Sequence, residues 1–148
     1  MGVTNSYEGL QVRRGSEERG PAYEKLKFYQ NICQIRRKIY ELAERFARNE
    51  ARRVSQMRDA ARSAKQNVRE GYSRDSAAEF ARALRISRGS LSELEGDLAD
   101  CHEDGLLQQD EYQTLRNVFR RTKYQMDRYL DALSRLDKAG KWKTRFQR

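Results

Sequence analysis

The sequence predicts an all-α fold, an antiparallel up-down-up-down four-helix bundle. Three observations carry this. The 148 residues hold one proline, Pro21, so nothing after it interrupts a long helix. Apolar residues recur at alternating spacings of three and four in four successive segments. The breaks between those segments are short, which makes sequence neighbours antiparallel. The length suits one domain with a sizeable core.

Residues 1–20 mix glycine, serine and charges without periodicity, and read as a mobile arm. The bundle is expected over 21–138, with Pro21 suited to its first turn, and 139–148 form a basic tail. The first helix carries Phe28, Ile32, Ile35, Ile39, Leu42 and Phe46 on one face. The second carries Val54, Met57, Ala61, Ala64 and Val68, small residues that let a neighbour come close, and Gly71 is placed to end it. Ser76 followed by Glu79 is a capping box that opens the third helix. That helix presents Phe80, Leu84, Ser87, Leu91, Leu94, Leu98 and Cys101, and Gly105 is placed to stop it. The fourth presents Tyr112, Leu115, Phe119, Thr122, Met126, Tyr129, Leu133 and Leu136; Gln108 is a poor cap for it and Asp110 a better one.

The stretch LRISRGSLSELEG places two glycines inside the third helix. At 100° per residue, Gly89 and Gly96 fall nearly opposite the leucines and share an azimuth with Ala78. A glycine inside a helix costs about 1 kcal/mol relative to alanine. Two at one azimuth therefore suggest close approach by another backbone. Arg82 and Arg85 precede Gly89, whereas Glu93 and Asp100 flank Gly96. Between Gly89 and Leu115 there is no lysine or arginine, against eight acids. A face basic at one end and acidic at the other suits a head-to-tail subunit contact that closes into a ring.

Chemistry is sparse. The single histidine, His102, cannot build a multi-histidine metal site and has no nucleophile motif beside it. Asp97 and Asp100 read as a solvated acidic face. Cys33 and Cys101 lie far apart and fit apolar helix positions, as reduced core cysteines do. No catalytic set, cofactor loop or metal motif emerges, so a non-enzyme without cofactors is expected. With no leader and no membrane-length apolar run, the expected location is the cytoplasm, away from membrane.

Charge is more informative. Lysine and arginine total 31 against 22 acids, a formal net charge of +9 that attracts polyanions. Arg58, Arg62, Lys65 and Arg69 recur at four, three and four residues, a quarter-turn from the apolar stripe. Such a row can follow a phosphate backbone, RNA or DNA, largely without regard to sequence. Arg120, Arg121 and Arg128 on the fourth helix are a second candidate set. In the tail, Trp142 and Phe146 sit among Lys141, Lys143, Arg145 and Arg148, which suits single strands unless the aromatics cap the bundle.

The segments YEKLKFYQ, SQMR, NVREG, LRISRGSLSELE, GLL and EYQTL, over about residues 23–137, resemble the small bacterial four-helix bundle proteins first noticed as reading frames in intervening sequences of 23S ribosomal RNA genes. The resemblance implies a barrel-like homopentamer. It also implies kinship with the accessory variability protein of diversity-generating retroelements, a basic pentamer that binds nucleic acid and a reverse transcriptase. Where that family often has Ser-Ile-Pro, this chain has Ser63-Ala64-Lys65, so no proline kink is expected and Lys65 extends the basic row. The combined expectation is a non-catalytic, oligomeric nucleic-acid-binding accessory protein that supports a reverse transcriptase or another ribonucleoprotein. The alternative is a protein-interaction scaffold with incidental charge.

Overall fold

A computed structural model of the chain describes residues 22–141. The expected arm over 1–20, Pro21, and the tail from Trp142 onward lie outside the described residues. Four long helices follow a short 3-10 turn at Ala22–Lys25: α1 (Lys27–Arg45), α2 (Ala51–Tyr72), α3 (Ala77–Glu103) and α4 (Gln109–Lys138). Each packs against its sequence neighbour, and α4 returns to α1. Cross-helix pairs run in opposite chain directions: Phe28 meets Tyr129 near the start of α1, and Arg45 meets Glu111 at its end. The architecture is therefore the antiparallel four-helix bundle that periodicity predicts.

The inward stripe of α3 is buried at every expected position, Phe80 through Cys101. Each fully buried leucine or phenylalanine contributes roughly 1.5–3 kcal/mol. The Ser76 hydroxyl accepts from the Glu79 N–H at 3.1 Å and caps α3. Glu79's carboxylate accepts from that same hydroxyl at 3.5 Å, so the return arm of the box reaches the side chain. At the far end Gly105 adopts φ +80. Its N–H donates to His102 O at 3.1 Å and that of Leu106 to Cys101 O at 2.8 Å, the Schellman pattern. Gly140, φ +68, ends α4 the same way.

Three expectations are corrected. Gly71 does not end α2, which runs on through it to Tyr72. A Cβ there would run into Ala83 Cβ and lie 3.2 Å from Phe80 Cδ1, so this glycine permits close helix approach. Leu136 is exposed: it lies in the last turn of α4, about 60° from the centre of the buried stripe at 100° per residue. Gln108, not Asp110, occupies the N-cap position of α4, without a side-chain cap bond. Asp110 instead accepts from the Glu111 N–H at 2.8 Å.

The small residues of α2 have the expected effect. Ala60, Ala61, Ala64 and Gly71 are buried, and the α2–α3 seam is the most extensive in the bundle. It also carries polar ties. Buried Ser87 donates to Ala64 O at 2.6 Å, and the Ser63 and Ser90 hydroxyls lie 2.9 Å apart. Small side chains bring the backbones close enough for a serine to reach across.

Candidate nucleic-acid interface

Cations behave differently at the four seams of the bundle. At α1–α4, Arg45 grips Glu111 with two nitrogens at 2.8 and 2.9 Å, and Lys38 adds a third contact at 3.3 Å. Hydrogen bonding from Arg45 holds the Glu111 carboxyl below its ordinary range despite partial burial. At α2–α3, Arg53 reaches Asp104 at 2.7 Å. At α3–α4, Arg88 pairs with Asp127 at 2.7 Å and Lys123 with Glu95 at 2.6 Å. Three seams are thus bridged by ion pairs.

The α1–α2 seam carries no such bridge among the described residues. Its groove, about 400 Å³, is lined by Arg36, Arg62, Lys65, Gln66 and Arg69. Arg62 and Arg69 are exposed and Lys65 is half-buried. Arg58, the fourth member of the predicted row, lies at the same seam. Its guanidinium stands 5.0 Å from the centre of the Tyr40 ring, and that of Arg36 stands 4.5 Å from the same ring. Arg58 Nε is buried and has no hydrogen-bond partner among the described residues. No ion pair neutralises any of these five cations among the described residues. The Tyr40 ring stabilises the Arg36 and Arg58 guanidiniums by about 0.5–2 kcal/mol each without cancelling their charge. The groove can therefore accept phosphate oxygens without first breaking a salt bridge.

Sequence reasoning found the α2 side of this groove and missed the α1 side. Arg36 and Tyr40 lie i, i+4 on the flank of α1 that meets α2, yet nothing in the sequence alone pairs them with Arg58. A larger cleft, about 490 Å³, lies between α1 and α4 over Ile35, Leu115 and Val118. Lys38 on its wall is already engaged by Glu111, so it offers less to an anion.

The other predicted residues separate. Arg120, Arg121 and Arg128 are all exposed on α4 but do not form one row. Arg121 and Arg128 share an azimuth within about 20°, while Arg120 lies about 100° from Arg121. The α3 face turns outward as predicted: Arg82, Arg85, Gly89, Glu93, Gly96 and Asp100 are exposed, and a Cβ at either glycine would meet nothing within 4 Å. Exposed Ile86 adds an apolar residue that the sequence reading left unassigned. Part of the acidic run is engaged at the seams, where Glu95, Asp104 and Glu111 pair with cations. Asp97 remains half-buried, and burial, then Glu93 and Asp100, push its carboxyl above the ordinary range. His102 stacks on Tyr112, centroids 4.5 Å apart. Cys33 and Cys101 are buried and unbridged. Among the described residues no His/Cys/Asp/Glu group could hold a metal, and no helix is long and apolar enough to cross a membrane.

Fold and seams together define a class: a four-helix bundle with a cationic groove that no ion pair neutralises among the described residues. The chain belongs to the 23S rRNA-intervening sequence protein family, whose model matches residues 24–127. No curated protein matches the chain.

Proposed function

We propose that this protein is a non-catalytic accessory protein that binds RNA or DNA by its phosphate backbone and works as an oligomer in the cytoplasm. The observation that carries this is the contrast among seams: three are bridged by ion pairs, and the α1–α2 groove is lined by Arg36, Arg58, Arg62, Lys65 and Arg69 without one among the described residues. The net charge of +9 and a family description that refers to an rRNA insertion point the same way. Arg120, Arg121 and Arg128 are secondary contacts.

The test joins four charge reversals, Arg58→Glu, Arg62→Glu, Lys65→Glu and Arg69→Glu. Affinity for RNA at low salt should fall about a hundredfold or more, with helicity unchanged. Undiminished affinity of the folded variant would remove this groove from the account.

Assembly into a ring-like homopentamer, and service to a reverse transcriptase as in diversity-generating retroelements, complete the reading. The outward Gly89 and Gly96, between Arg82 and Arg85 on one side and Asp100 on the other, support the assembly. Gly89→Leu and Gly96→Leu should then lower the mass seen by light scattering, and unchanged mass in both would remove α3 from the contact. The same exposed face, with Ile86, favours the second reading, a protein-interaction scaffold. A salt titration separates the two: the scaffold retains no nucleic acid even at low salt.

A further inference from the structure

We infer that Tyr124, framed by Arg120, Arg121 and Arg128 on the outer face of α4, is a stacking platform for an unpaired nucleotide. This inference rests on the nucleic-acid reading and extends it from phosphate to base. Tyr124 is 60 % exposed, and the other aromatic residues among the described ones are buried or half-buried. The other aromatic rings there are committed. Tyr40 carries two guanidiniums, Tyr112 stacks on His102, and Phe80 and Tyr129 pack edge to face. The apolar stripe of α4 lies on the opposite side, so packing within the bundle does not use this ring.

Its neighbours explain what it could take. Arg120 and Arg121 lie one turn before it and Arg128 one turn after, all exposed and without an ion pair among the described residues. Arg128 Nη1 donates to the Tyr124 hydroxyl at 3.2 Å, with its guanidinium carbon 5.9 Å from the ring centre. That hydrogen bond holds a cation beside the ring and leaves most of the ring open. Asp127 is drawn away by Arg88, and exposed Asp131 limits the patch beyond Arg128. A ring flanked by guanidiniums suits a nucleotide: the base stacks on the ring while flanking phosphates meet the arginines. A duplex offers no free base face, so the platform distinguishes unpaired from paired strands. It lies on α4, whereas the cationic groove lies between α1 and α2. A folded RNA could place a helix in one and a loop on the other.

The test uses the full chain and two probes, a twelve-nucleotide oligouridine and an RNA duplex of twelve pairs, read by fluorescence anisotropy. Tyr124→Ala should weaken oligouridine binding about tenfold and duplex binding less than twofold, and Tyr124→Phe should keep both. Equal losses on the two probes, or none on oligouridine while the wild-type protein binds both, would overturn the platform but leave the groove. A fall in the mass of Tyr124→Ala by light scattering would overturn it in favour of a subunit contact. Failure of the wild-type protein to bind either probe at low salt would overturn the nucleic-acid reading itself, and the platform with it.

Discussion

The two flanks of α2 are built on opposite principles. Toward α3 it presents Ala60, Ser63, Ala64, Asn67 and Gly71, and the gap closes until serine hydroxyls bridge it. Toward α1 it presents Arg58, Arg62, Lys65 and Arg69, and an open groove remains. One helix thus separates the demands of packing from those of charge, a half-turn apart. A substitution on the closed flank should therefore change stability, and one on the open flank should change affinity.

The largest expected break of that division is at Gly71. Even Gly71→Ala introduces a methyl that collides with Ala83, and Gly71→Leu should cost about 2–3 kcal/mol in a denaturant melt. Ser87→Ala should cost about 1 kcal/mol through loss of the bond to Ala64 O, with RNA affinity unchanged. Gly89→Ala and Gly96→Ala sharpen the contrast from outside. Each side chain enters open space, so each should stabilise the protomer by about 0.5–1 kcal/mol. On the open flank, Arg62→Gln should move stability by less than about 0.5 kcal/mol yet lower the salt slope of RNA binding by about one.

The smallest effect is electrostatic and has a definite sign. The folded-state pKa of Asp97 is raised, so its contribution to stability is present below its unfolded value and lost as pH rises through the folded one. Asp97→Asn should therefore raise Tm at pH 7, with the gain fading in acid below about pH 4. Glu111 is the mirror case. Its pKa is lowered, so its contribution holds above the unfolded value and is lost as pH falls. Glu111→Gln should lower Tm at pH 7 and converge on the wild type in acid. Thermal melts at both pH values would check the pair.

The fold was largely legible in the sequence because periodicity encodes burial directly. All seven positions assigned to the α3 stripe are buried. Leu136 escaped the pattern because it sits at the edge of the stripe in the last turn, where spacing alone does not tell burial from exposure. Gly71 was misread because a glycine near a helix end looks the same whether it stops the helix or admits another. The site was half legible. A four-three-four row of cations is visible along one helix, but Arg36 and Tyr40 join it only through tertiary packing. The ion pairs at the other seams, which make the α1–α2 groove distinctive, also connect residues far apart in the chain. Arg45 and Glu111 are 66 positions apart.

The unbroken course of α2 has one more consequence. With no proline between its ends, Ala51–Tyr72 is a single helix. Its rise of 1.5 Å per residue puts Arg58 and Arg69 about 16 Å apart along the axis. In duplex DNA one strand advances about 3.4 Å per nucleotide, so the proposed phosphate contact along this row would span about five nucleotides. Affinity should climb with probe length until that span is filled, and more gently thereafter.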